Sequence, residues 1–281
     1  VNDRPAVWPV LVTFVVLFVA LQIGGGLVLA AWAFLSLPEG ASPAAIPTQM
    51  QALLLTPLGL SVAVFLTSAP LAFTAFVGAR VSGEPLGLRL RTRTAGVRWG
   101  LVPLMVLGML AVSNALDSLI ALAGLGDRGT LQLMGEVMAS ARGRDLALLT
   151  LVVALGAGVA EELFFRGFVQ SRLSRVWPAW AAVAVASLCF GFMHFDPVHT
   201  PAAALLGLYL GWVAERAGSI VPAMIAHVVN NSVAVAGARW PTPQTTEVLV
   251  PVLAGSLLIG AALVLAIEWA YRRSPSAVPS R

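Results

Sequence analysis

Eight stretches of apolar residues divide the chain, at 7–35, 53–79, 99–123, 146–174, 178–195, 200–216, 219–238 and 247–271. A helix that crosses a bilayer needs about 20 such residues. The pattern therefore predicts an all-α fold, a polytopic membrane helix bundle of about eight transmembrane helices. The fourth stretch is long enough to project beyond the bilayer, whereas the fifth and sixth are short and are expected to lie among their neighbours. Segment 39–50 reads as a Pro/Ala/Ser loop, and 124–145 as a longer polar connection with room for a short surface helix. The first stretch is too long for a signal-peptide core, so it reads as a spanning helix.

Composition agrees with this pattern. The chain is 58% hydrophobic and 11% charged, with mean hydropathy +0.88, against about 25% charged residues in a soluble domain. All 17 basic residues are arginine. Against Arg128, Arg142, Arg144 and Arg239 in the poorer opposite loops, twelve gather before the first helix (Arg4), between the second and third (Arg80, Arg89, Arg91, Arg93, Arg98), after the fourth (Arg172, Arg175), after the sixth (Arg216) and after the eighth (Arg272, Arg273, Arg281). With eight alternating crossings these fall on one side, which the positive-inside rule makes cytoplasmic, both termini included. No soluble basic domain is visible, so nucleic acid is not an expected partner. One cysteine, Cys189, excludes an internal disulfide and a cysteine zinc cluster.

Several polar or small residues have ordinary readings. In 84–93, leucines alternate with arginines, which fits either a loop in the headgroup layer or a solvated loop. Gly207 and Gly211 have the spacing of a close helix contact. Gly24-Gly25-Gly26 implies close packing or a kink. Asp117 and Ser113 sit toward the outer end of the third helix, and Glu268 can pair with Arg272. His199, after Asp196-Pro197, reads as a solvated loop histidine, and Phe190 as packing.

The charge pattern breaks inside the fourth stretch, where Glu161, Glu162 and Arg166 fall within six residues. Each such charge costs about 2.5–3.5 kcal/mol to insert, which argues for use. Glu162 and Arg166 are an acid-first i, i+4 pair, so Glu162 is held, by a pairing that structure alone would also explain. Glu161 points about 100° away around the helix and stays free to act as a base. Trp177-Pro178 marks a turn, with Glu161 sixteen residues before Trp177 and His194 sixteen after Pro178. An antiparallel hairpin brings the two to one depth, about 24 Å from the turn. His227 and Asn231 share one face of the seventh helix, with Asn230 beside them, and small offsets bring them level with Glu161. Glu161 and His194 would hold and deprotonate a water, while His227 and Asn231 would donate to an oxyanion. This set suits amide hydrolysis without a serine or cysteine nucleophile.

Glu161-Glu162-Leu-Phe-Phe-Arg166 fits EExxxR, Phe190-Gly-Phe-Met-His194 fits FxxxH, and His227-Val-Val-Asn-Asn231 fits HxxxN. In this order the three motifs resemble the CPBP family, the CAAX proteases and bacteriocin-processing or immunity proteins also called the abortive-infection family. The resemblance covers about residues 146–235. It implies an intramembrane endopeptidase of glutamic type, with Glu161, His194, His227 and Asn231 catalytic and Glu162 and Arg166 supporting. It divides the chain into N-terminal helices (1–145), a CAAX-protease-like core (146–238) and a last helix with its tail (239–281). It also implies a membrane protein or peptide substrate, lipidated and CAAX-like in the eukaryotic members. The projecting fourth helix and the arginine bias are what predict a place in the cell membrane with the site nearer the cytoplasmic side.

No cofactor is expected on this reading. A zinc-dependent variant, with Glu161, His194 and His227 as ligands, stays open although H-E-x-x-H is absent. So do a proton-coupled transporter, for which no inverted repeat is visible, and a non-catalytic immunity or scaffold protein.

Overall fold

The computed structural model describes residues 6–126, 128–240 and 243–273; Arg4, Asp127 and Arg281 lie outside them. The described residues form eleven helices, besides short 3-10 turns at Pro43–Ala45 and Trp99–Leu101, and no strand. They are α1 (Trp8–Leu35), α2 (Ile46–Leu54), α3 (Pro57–Val81), α4 (Leu86–Arg89), α5 (Val102–Leu122), α6 (Gly129–Ser140), α7 (Gly143–Leu173), α8 (Ala179–Met193), α9 (His199–Ala217), α10 (Val221–Gly237) and α11 (Thr246–Arg273). Five of them, α1, α3, α5, α7 and α11, are long and apolar enough to cross a membrane. The shorter α8, α9 and α10 pack among them. The chain is a multi-pass membrane helix bundle.

Local sequence explains the helix limits. Proline occupies the first turn of α1, α3, α5 and α10, where its missing N–H costs nothing. Thr56 Oγ1 caps α3 by accepting from Gly59 N at 3.0 Å. Gly218, at φ +65°, ends α9 in the left-handed conformation that glycine adopts freely. Within α7 the backbone widens to π-helix twice, over Thr150–Ala157 and Glu162–Gln170.

Two apolar clusters flank the middle of α7. Phe164, Phe165 and Phe168 pack with Phe14 of α1, Leu71 of α3 and Phe190 of α8. Met105 and Met109 of α5 pack with Leu210 and Val213 of α9 and Ala223 of α10. The glycine spacing in α9 gives the close approach it predicts. A Cβ on Gly207 would lie 3.1 Å from Phe190 Cδ1, and one on Gly211 would lie 2.8 Å from Gln170 Oε1.

Outside the candidate site the structure departs from the sequence reading at four places. Segment 39–50 is not all loop: Ile46, Met50, Leu53 and Leu54, at helical spacing, form the half-buried face of α2. A Cβ at Gly24, Gly25 or Gly26 would meet nothing, and α1 runs through them unbroken. Glu268 pairs with Arg216 of α9 at 2.5 Å, because α9 supplies a closer cation than its own helix does.

The fourth departure is the largest. Arg89 is buried rather than lipid-facing or solvated. It donates to Ser171 Oγ at 2.7 Å and to the carbonyls of Gly167 and Phe168, both at 3.4 Å. Arg91, at φ +54°, reaches Glu215 at 2.6 Å and the Ala214 carbonyl at 3.1 Å, and its own carbonyl accepts from Ile220 N. The loop thus binds the end of α7 to α9 and α10. Carbonyls and a carboxylate already inside the bundle supply what headgroups or water would have.

Candidate active site

The EExxxR segment enters the second π stretch of α7. Such widened turns recur at functional sites because they re-aim side chains. Glu162 and Arg166 are wholly buried and paired at 2.8 Å, as their spacing predicts. Arg166 also donates to the Gly207 carbonyl at 3.0 Å and lies over the Phe190 ring, 4.7 Å from its centre. Burying two charges is tolerable only when they are paired and further hydrogen-bonded, and α9 supplies the extra acceptor.

His227 of α10 joins this pair. Its Nδ1 lies 2.9 Å from Glu162 Oε1. A carboxylate bound to an arginine accepts, so Nδ1 carries the proton. The other ring nitrogen, Nε2, faces Glu161 Oε2 at 3.6 Å. His227 therefore spans the two glutamates, held by one and presented to the other. Glu161 keeps 16% of its side chain exposed while Glu162 keeps none. The structure separates the held carboxylate from the accessible one.

His194 follows the last residue of α8. Its Nδ1 lies 3.0 Å from the Phe190 carbonyl, which can only accept, so this nitrogen donates and Nε2 is left as an acceptor. Phe190 is more than packing. Its ring meets His194 edge-on at 5.2 Å and His227 at 5.8 Å, with Arg166 on its face. One aromatic ring thereby links three of the polar residues. Asn231, one turn beyond His227, donates to the Val153 carbonyl at 3.3 Å, and Asn230 reaches Asn231 Oδ1 at 3.5 Å. Among the described residues no hydrogen bond or ion pair joins Glu161 to His194 or to Asn231.

His199 is not a solvated loop residue. It is half-buried, with its ring centre 4.1 Å from that of His194 and its Nδ1 3.2 Å from Thr130 Oγ1. The turn that carries it is tied down by Asp196, whose Oδ1 accepts from the backbone of Val198 and His199 and whose Oδ2 accepts from Thr130 N at 2.9 Å. Gly129, at φ +65°, allows this approach, since a Cβ there would lie 2.2 Å from Asp196 Oδ2. The start of α6 is in this way fastened beside His194. The only sequence hint was Asp196 followed three residues later by a helix start, the spacing of a cap.

Gln170 is a further residue that sequence reasoning missed. It is buried one turn beyond Arg166 and donates to the Gly211 carbonyl and to Glu215 Oε1, both at 3.0 Å. An uncharged residue in an apolar run gave little signal, although glutamine four residues after an arginine continues the polar face of α7. Among the described residues no three His, Cys, Asp or Glu side chains are grouped to hold one metal ion.

Residues 143–233 match the family model described as Type II CAAX prenyl endopeptidase Rce1-like, consistent with the CPBP family. All seven motif residues fall inside the matched segment. No curated protein and no solved structure matches the chain. A CAAX-endopeptidase domain in a multi-pass bundle supports intramembrane protease activity.

Proposed function

We propose that the protein is an intramembrane endopeptidase of glutamic type, acting on a peptide bond of a membrane-associated protein or peptide. The observation that carries this reading is His227 spanning two glutamates of unequal accessibility within the matched segment. Glu161 accepts a proton from water as the water oxygen bonds to the scissile carbonyl carbon. His194 Nε2 accepts the hydrogen bond from the water's other proton. The oxyanion receives hydrogen bonds from His227 Nε2–H and from the second amide hydrogen of Asn231. With Nδ1 committed to Glu162, a proton on Nε2 makes His227 an imidazolium, balanced by the Glu162 carboxylate and, once Glu161 has taken the water's proton, by the oxyanion itself. The carbon–nitrogen bond then breaks, and Glu161 returns its proton to the leaving amine. Glu162 and Arg166 hold His227 in position and do not meet substrate.

The family description supplies the first substrate to try, a C-terminal peptide beside a prenylated cysteine. The arginine-rich end of the bundle is assigned to the cytoplasm, in a cell membrane. The test is terminal proteomics of membranes containing wild type or Glu161→Gln, with and without chelator. Chain termini present only with wild type and indifferent to chelator are expected. If no terminus depends on Glu161, the protease reading is lost. Stoichiometric metal together with chelator-sensitive cleavage would overturn the glutamic mechanism in favour of Glu161, His194 and His227 as zinc ligands.

A further inference from the structure

A second concave site lies away from the glutamates, between α5, α9 and α11. It is an open groove of about 570 Å³, walled by apolar side chains that include Leu116, Leu208, Leu257, Ala261 and Val264. Leu208 and Leu257 keep 40% and 57% of their surface exposed, so no other helix among the described residues covers it. The groove follows α11 from Ser256 to Val264, and Glu268 lies one turn beyond its end. At 1.5 Å per residue, Ser256 to Glu268 is about 18 Å, close to half of a hydrocarbon core about 30 Å thick. The groove, about 12 Å along α11, and the turn that follows it together match the depth of one leaflet.

Its end is chemically marked. Trp212, in the wall, donates its indole N–H to Glu268 Oε1 at 2.9 Å, and Arg216 donates Nε to the same oxygen at 2.5 Å. Arg216 remains 47% exposed. Arg272, exposed, is four residues beyond Glu268 and on the same face of α11. Arg98 lies over the Tyr271 ring at 4.6 Å and donates to the Ala270 carbonyl. Three arginines, of which Arg216 is paired with Glu268, thus lie with a single carboxylate where the apolar groove meets the arginine-rich end of the bundle. An indole at that level is the usual boundary residue between acyl chain and headgroup.

We propose that this groove is a binding site for an anionic phospholipid, with one acyl chain along α11 and the headgroup phosphate on Arg216 and Arg272. The surplus of positive charge selects an anionic over a zwitterionic headgroup, and the groove selects a lipid over a free phosphate. The site is independent of the glutamate chemistry.

The test uses the full chain purified in detergent and native mass spectrometry after titration with phosphatidylglycerol or phosphatidylcholine of equal chain length. Retention of phosphatidylglycerol is expected to be stronger, and to weaken about fivefold for each arginine lost in Arg216→Gln and Arg272→Gln. Arg216→Lys should keep part of the preference. Ala261→Phe, which fills the groove without touching a charge, should reduce retention of both lipids. Arg175→Gln, whose partner is Glu84 rather than any groove residue, should change nothing. Equal retention of the two lipids by wild type overturns the proposal. So does insensitivity to Ala261→Phe, inorganic phosphate displacing the lipid, or equal loss in Arg175→Gln, which would mean a general charge effect.

Discussion

At the scale of single residues, the two adjacent glutamates are predicted to fail differently. Arg166→Ala leaves Glu162 buried with His227 as its remaining partner. Losing one member of a buried pair costs about 3–5 kcal/mol, to be read as a large fall in thermal unfolding temperature in detergent. Glu161→Gln keeps the shape, breaks one long contact and should change stability by about 1 kcal/mol or less, while removing the protease activity proposed above. A stable, inactive Glu161→Gln beside an unstable Arg166→Ala would separate chemistry from support. The Glu162–Arg166 pair was legible in the sequence because both partners lie on one helix, four residues apart. The Glu162–His227 contact was not, since its partners are 65 positions apart and meet only through the packing of α10 on α7. Glu268 and His199 were misread for the same reason: their partners come from other elements, and local spacing offered only the wrong candidate or none.

At the scale of elements, apolar runs alone located all eight apolar helices, the five long ones and the three shorter, to within a few residues, because a helix in lipid must satisfy its own backbone. Short pieces outside that constraint were less visible. α2 hid in a proline-rich stretch, and the π turns of α7 left no mark that propensity could reveal. Two glycines carry element-level predictions. Gly211→Val would drive its side chain into Gln170 and Val183, the latter 2.9 Å from a Cβ; overpacking of this kind costs about 1–3 kcal/mol and should lower the unfolding temperature. Gly129→Ala adds a Cβ at positive φ against Asp196. It should release the start of α6 from the α8–α9 turn, visible as faster amide hydrogen exchange at Thr130 and His199, with a smaller effect on global stability.

At the scale of the whole molecule, one end of the bundle is a polar clasp. Arg175 donates two hydrogen bonds to Glu84, at 2.5 and 2.6 Å, and Arg172 reaches the Ala6 carbonyl. The Arg175 hydrogen bond holds the Glu84 carboxyl below the usual carboxylate range. A group whose pKa is depressed in the folded state stabilises above its unfolded value, about 4.3 for glutamate, and loses that contribution as pH falls through the folded one. Wild type should therefore exceed Glu84→Gln in thermal stability at neutral pH, by a small margin because the pair is one-third exposed. The two should converge under acid. Arg89 and Arg91 are the inner part of the same clasp, and they carry a consequence for modularity. The stretch matched by the family model begins at 143, yet residues that complete its hydrogen bonding at Gly167, Phe168, Ser171, Ala214 and Glu215 are contributed from 89 and 91. A border drawn by similarity is thus not a border of self-sufficiency. A chimera that grafts 143–233 onto foreign N-terminal helices inherits a vacancy where two guanidinium groups belong, and the short loop that supplies them must travel with the graft.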